Sequence, residues 1–330
     1  MIVSRTPFRV TLGGGGTDLP SYYEKFGGFI FSFCLSKYMY ICVNRSSVDN
    51  LIRLKYRQSE NVKHIKDLKH DIAKACLERV NINSRIEIAS ISDIPAGTGL
   101  GSSSSYAVGL LNALYSRKGE QKSLEFLANE ACVIEMDMLN KPMGKQDQYL
   151  AALGGFVVLE IDTDGIVTSK KINLEQPIIN ALNKNILIFY SGQQRKNNTI
   201  LKEQDTSTKK NQKKVLDSLH YIKDAGYQIL EIIQSGNIDD LGMMFEEHWQ
   251  MKKKLSSGVT NPEIDSIYKI ALENGALGGK ISGAGGGGFF TFYCNKNHSK
   301  LREAMKERGL KELDYSFDYD GTKIISDNYQ

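Results

Sequence analysis

Two periods of apolar residues alternate along this chain. From Arg85 to Ala89 the order Arg-Ile-Glu-Ile-Ala switches between polar and apolar at every step, the pattern of a strand with one buried face. Pro95 and Gly97 break it, and Ala107, Leu110, Leu111 and Leu114 then return at helical spacing, so the segment reads as strand, glycine loop, helix. A second helix is predicted from about Leu124 to Met138, with Leu124, Leu127, Ala128 and Ala131 at relative positions 0, 3, 4 and 7. Glu135 continues that apolar stripe at position 11. A carboxylate there either meets a cation or strong donors, or marks where the helix surfaces. Lys145 to Gly155 reads as a short helix closed by glycine, which puts Asp147 in a first turn, where an acid complements the dipole. Ile186–Tyr190 and Phe289–Tyr293 read as buried strands. Between them Asn261 caps and Pro262 opens a helix carrying Ile264, Ile267, Tyr268, Ala271 and Leu272 on one face, with Gly275 as its stop.

A length of 330 residues favours two packed domains, and the change of character near 170–180 places them at 1–175 and 176–330. With 41% hydrophobic and 24% charged residues the chain is globular. The formal charge of +4 is spread along the sequence, too mild for a polyanion as main partner, so nucleic acid is not expected. No apolar export segment and no run of about 18 apolar residues is found, so a cytoplasmic protein without a membrane partner is expected. The five cysteines contain no CxxC pair and the five histidines show no metal-ligand spacing, which argues against disulfides and zinc. The lysine clusters at 209–210, 213–214 and 252–254 read as solvated faces.

Glycine changes the picture most. It clusters at Gly13–Gly16, Gly97–Gly101 and Gly283–Gly288, and such clusters mark tight turns or backbone that approaches a ligand. The loop from Pro95 to Gly101 delivers Ser102, Ser103, Ser104 and Ser105 to the first turn of a helix, where unpaired N–H groups and the positive end of the dipole attract phosphate. It lacks the lysine of a Walker A loop and the spaced third glycine of a dinucleotide fingerprint.

Taken in order, Arg5-Thr6-Pro7-Phe8-Arg9 leading to Gly16-Thr17-Asp18, then Pro95-Ala96-Gly97-Thr98-Gly99-Leu100-Gly101-Ser102-Ser103, then Lys280-Ile281-Ser282-Gly283-Ala284-Gly285-Gly286-Gly287, resemble the three motifs of the GHMP small-molecule kinases. The resemblance implies a two-domain α+β fold, with a ribosomal-S5-like amino-terminal half, a ferredoxin-like carboxy-terminal half and ATP between them. Gly13 to Pro20, Lys145-Gln146-Asp147-Gln148 and His248 to Lys254 resemble the branch that phosphorylates the anomeric hydroxyl of D-glycero-D-manno-heptose 7-phosphate. Its product is a 1,7-bisphosphate on the way to nucleotide-activated heptose. Galactokinases carry Glu-His before the Thr-Asp pair, and its absence here disfavours galactose.

The resemblance also implies roles. Pro95, Gly97, Thr98, Gly99, Leu100, Gly101, Ser102, Ser103 and Ser104 would hold ATP, and Ser102 or Ser103 with Glu135 would hold Mg²⁺. Asp147 would accept the proton of the acceptor hydroxyl, with Arg9 as the cation beside it. Gly15, Gly16, Thr17 and Asp18 would face the sugar, and Gly283, Ala284, Gly285 and Gly286 would close over it. Asp18 alone reads equally as an N-cap for a helix beginning at Leu19. The acceptor's own phosphate needs further cations, for which Arg195, Lys196 and Lys253 are candidates. The expected partner is a small sugar phosphate, bound by a monomer or homodimer. The alternatives are another sugar kinase of the family, galactokinase- or fucokinase-like, and, outside enzymes, a non-catalytic nucleotide-binding regulator.

Overall fold

The computed structural model describes residues 1–194 and 199–328. β1 (Ile2–Gly13) and β2 (Gly28–Arg45) form the antiparallel spine of a nine-stranded sheet and are linked through α1 (Pro20–Phe26). β2 is long enough to divide its pairing: Gly28–Phe33 bond β6 (Phe156–Ile161), and Met39–Arg45 bond β5 (Ile86–Ser92). β3 (Ile52–Lys55) lies parallel to β5 and antiparallel to β4 (Ser59–Val62), while β7 (Val167–Lys171) pairs with β6. α3 (Ser102–Arg117) and α5 (Gln146–Leu153) pack on β1 and β2, with α2 (Asp71–Val80) and α4 (Leu124–Cys132) beside α3. The close approach of α3 is possible because Gly109 has no side chain: a Cβ there would lie 2.7 Å from Thr6 Oγ1.

The second sheet is antiparallel, in the order β11 (Lys311–Glu312), β8 (Ile186–Tyr190), β10 (Phe289–Tyr293), β9 (Gly278–Ile281), the strand order of a ferredoxin-like layer. α9 (Leu241–Lys252), α10 (Pro262–Glu273) and α11 (His298–Glu307) build a core on it around Trp249, Phe290 and Phe292. As the sequence predicts, Asn261 caps α10 by accepting from the N–H groups of Glu263 and Ile264, each at 3.0 Å. α6 (Gln176–Asn185) flanks β8, α7 (Thr199–Lys209) packs on α1 and α8 (Lys213–Ser235), and α8 packs on β1, β2 and α9, so it ties the two sheets together.

Two expectations are corrected. The halves 1–175 and 176–330 do not separate cleanly, because β12 (Phe317–Asp318) and β13 (Lys323–Asp327) return to pair with β2 and β1. Strand pairing across more than 280 residues of sequence leaves no local signal. The helix expected from Leu124 to Met138 is α-helical only to Cys132 and continues as a π-turn over Val133–Met138. Glu135 lies within this turn and has no exposed surface at all. All five cysteines are free, and among the described residues no helix is long and apolar enough to cross a membrane.

Candidate active site

A cleft of about 940 Å³ lies where the two sheets meet, and all three glycine loops reach its wall. The loops also hold one another in place. Gly99 has φ +84° and a Cβ there would lie 2.5 Å from the Ser282 carbonyl oxygen, so the second and third loops touch backbone to backbone, a contact only glycine permits.

α3 opens at Ser102 straight after this loop, and its first carbonyl-bonded N–H is that of Ser105, bonded to Gly101 O at 2.9 Å. The N–H groups ahead of it are open to an anion at the mouth of a 16-residue helix. Pro95, Gly97, Gly99, Gly101, Ser102 and Ser103 line the cleft. Thr98, Leu100 and Ser104 do not. Thr98 Oγ1 donates to Pro95 O at 2.9 Å, Leu100 is buried in the core, and Ser104 Oγ donates to Glu135 Oε2 at 2.6 Å. These three shape the loop rather than face its contents.

Arg9 ties the pieces together. Rising from β1 with a 4% exposed side chain, it donates from Nε to Asp147 Oδ1 at 2.7 Å, with Nη2 in ion-pair contact with the same oxygen at 2.6 Å, and from Nη1 to Gly99 O at 2.7 Å. Its own N–H bonds Leu100 O at 3.1 Å. Asp147, in the first turn of α5 as expected, keeps Oδ2 without a bond to any described residue and is 18% exposed to the cleft. The pair is therefore held through one carboxylate oxygen, while the other is accessible.

Glu135 sits beneath the serines. Ser103 and Ser104 both donate to it, Gln148 Nε2 donates at 2.9 Å, and Lys141 Nζ is 3.7 Å away. Burial pushes its pKa up and the serine hydroxyls oppose that shift. Ser102 lines the cleft without bonding Glu135, so Ser103 is the serine that joins carboxylate and cleft.

Asp18 is not the N-cap of α1, whose cap position is Leu19 without a side-chain bond. Its carboxylate instead accepts from the N–H of Gln146 at 3.1 Å and of Gly16 at 3.2 Å, so it caps α5 from another loop. Gly144 makes room for it, since a Cβ there would fall 2.0 Å from Asp18 Oδ2. Burial raises the Asp18 pKa to about 6 from an ordinary 3.8. An acid stabilised in its protonated form contributes to folding at low pH, and that contribution is lost as pH rises through about 6. Asp18→Asn should therefore gain on the wild type, by on the order of 2–3 kcal/mol, as pH rises from about 4 to about 6, and remain level above it. Urea midpoints measured across that range read the difference, and parallel curves would remove the strained carboxyl.

Gly15, Gly16 and Asp18 line the cleft, whereas Thr17 is buried, with Oγ1 accepting from Phe29 N–H and lying 2.8 Å from Gly14 O. Gly283 and Ala284 line it too, but Gly285 and Gly286 are turned onto Val259, with Gly286 N–H bonded to Val259 O at 2.8 Å. Arg195 and Lys196 lie outside the described residues. Lys253 is not on the cleft wall, and its Nζ stands 5.9 Å from the Trp249 ring centre. The lysine run is not a uniformly solvated face either: Lys252 is buried, and Nζ donates to Ile281 O at 2.6 Å and Gly283 O at 2.5 Å.

Sequence reasoning did not assign Lys141, Gln146, His248 or Lys280, all on the cleft, nor the ring cluster in which His70 meets Tyr56 edge-on and stacks on Tyr106. His248 and Lys280 stand inside the quoted motifs, so their position was visible though their role was not. Nothing in the sequence marks Tyr56 or His70.

Comparison with known proteins bears on the family and the fold. Residues 65–155 match the family model for the GHMP kinases N terminal domain, and residues 229–311 match that for the GHMP kinases C terminal region. The chain is 29% identical to the D-glycero-alpha-D-manno-heptose 7-phosphate kinase of Campylobacter jejuni, over 98% of each chain. A crystal structure of a D-glycero-D-manno-heptose 1-phosphate kinase from Bacteroides thetaiotaomicron shares the fold at a TM-score of 0.80 and 21% identity, covering 99% of each chain. A Lactococcus lactis galactokinase complexed with galactose does so at 0.78 and 17%, covering 98% of this chain and 94% of the other.

Proposed function

The chain belongs to the GHMP kinases and is an ATP-dependent sugar-phosphate kinase, and from that premise we propose that its acceptor is a D-glycero-D-manno-heptose 7-phosphate, phosphorylated at the anomeric hydroxyl. The observation that carries the reading is the placing of Asp147 between the Gly97–Gly101 loop and the Asp18 loop, with one carboxylate oxygen pinned by Arg9 and the other facing the cleft. The full-length relative from Campylobacter jejuni supports the choice of acceptor.

In this reading the N–H groups at the start of α3 meet the triphosphate oxygens. Asp147 Oδ2 accepts the proton of the anomeric hydroxyl as its oxygen bonds the γ-phosphorus and the bond to the bridging oxygen of ADP breaks. Products are the 1,7-bisphosphate and ADP, with the proton released from Asp147. Arg9 orients the carboxylate and offers positive charge beside the transferring group. Mg²⁺ suits the residues beneath the loop: one buried carboxylate, Glu135, behind one cleft-facing hydroxyl, Ser103, is a small set of hard oxygens. Bound there it would neutralise charge on the phosphates.

Phosphorus NMR of a reaction with Mg-ATP should show a second, anomeric phosphoryl signal on heptose 7-phosphate. Galactose, fucose, mevalonate and homoserine, assayed side by side by ADP release, should be poor acceptors. Efficient turnover of one of these with none of heptose 7-phosphate would overturn the acceptor.

A further inference from the structure

The part of the cleft wall built by α9 and β9 carries three nitrogen-bearing side chains that phosphoryl transfer as described does not use. Lys280, 3% exposed, donates from Nζ to Leu12 O, the only one of its three donors engaged among the described residues, and it has no carboxylate partner there. Lys252 reaches the carbonyls of Ile281 and Gly283. His248 is 1% exposed, lies on the cleft, and neither Nδ1 nor Nε2 finds a partner among the described residues. Burial and the two lysines push its pKa well down, so it stands as a neutral ring with one N–H to offer. Burial, with Lys252 nearby, pushes the Lys280 pKa down, so a charged ammonium held there by one carbonyl is costly, and an imidazole without a bond adds to that cost. The arrangement makes physical sense if an anion enters.

We infer that His248, Lys252 and Lys280 form the subsite for the phosphate monoester carried by the acceptor. Lys252 holds the carbonyls on either side of Ser282, which touches Gly99, so it is Lys280 that sets the pocket toward the acceptor's loop. Lys280 is anchored to Leu12, which leads into the Gly13–Asp18 loop, whereas the cation aimed at the Gly97–Gly101 loop is Arg9, through Gly99 O. A phosphate dianion held here would receive two charged donors and the imidazole N–H, and would orient the far end of the sugar against Asp147. This inference rests on the phosphorylated acceptor proposed above.

The test is the ratio of kcat/KM for heptose 7-phosphate to that for unphosphorylated heptose, measured in the wild type, Lys280→Met, His248→Leu and the off-cleft control Lys253→Met. Wild type should prefer the phosphorylated sugar by at least about 10²-fold. Lys280→Met should cut that preference by about 30-fold or more, and His248→Leu should cut it too, while Lys253→Met keeps it. In the wild type, inorganic phosphate should compete with heptose 7-phosphate and not with ATP, a measurement that stands even if a variant fails to fold. Undiminished preference in both variants would overturn the subsite and leave the acceptor intact. A raised KM for ATP with unchanged preference would hand the pocket to the nucleotide's phosphate and overturn it equally. No preference in the wild type would instead overturn the acceptor.

Discussion

Asp147→Asn should lower kcat by about 10²–10⁴-fold, the range that loss of a positioned general base produces. The amide preserves the shape of the carboxylate, and its oxygen can still receive the Arg9 Nε bond that now goes to Oδ1. What disappears is the accessible anionic oxygen, Oδ2, so the acceptor hydroxyl has nowhere to send its proton. ATP affinity, measured by titration calorimetry, should stay near wild type, because the loop at Gly97–Gly101 and the opening of α3 are untouched. A variant that retains close to full rate would reduce Asp147 to a helix-terminus acid that complements the α5 dipole.

Arg9→Met should be worse, since it removes rate and stability together. Arg9 is almost fully buried and satisfies both Asp147 and the Gly99 carbonyl, so its loss strands a carboxylate that is largely screened from water and frees the glycine loop. Breaking such a pair from one side costs about 3–5 kcal/mol when fully buried, and somewhat less at a site with the partial exposure of Asp147. The rate should fall at least as far as in Asp147→Asn, because a cation stabilising a transferring phosphoryl group is itself worth about 10³-fold or more. The double variant Arg9→Met/Asp147→Asn separates the two effects. It should recover part of the lost stability, as the stranded charge is gone, without recovering rate. Urea unfolding of the four proteins completes the cycle, and strict additivity in stability would show that the ion pair carries no coupling.

Much of the site is legible because its chemistry is local. An anion cradle needs a glycine loop immediately before a helix, and Pro95 to Ser105 display both parts within eleven positions. The same locality exposed the Asn261 cap, the strands at 186–190 and 289–293, and the first-turn position of Asp147. Where a residue's job depends on a partner far along the chain, the sequence is ambiguous. Asp18 followed by Leu-Pro has the form of an N-cap, but its oxygens belong to Gln146, which is 128 positions away. Lys252 sits in a run that resembles a solvated face, yet backbone carbonyls of the third glycine loop claim its ammonium.

The sequence by itself determined the three loops, their order and the elements beside them, because these follow from short-range periodicity, backbone freedom and capping, while the α+β class came from the resemblance that the ordered loops carry. Only the tertiary structure decided which members of each motif turn toward the cleft. Thr17, Thr98, Ser104, Gly285 and Gly286 are spent on shaping their loops, since a buried hydroxyl or backbone group must find a partner and the nearest ones lie inside the loop or on a neighbouring segment. Tertiary structure alone also returned residues 317–327 to the first sheet and brought His248 and Lys280 to the same cleft as Asp147, because strand pairing and packing join segments whose separation along the chain carries no periodic signature.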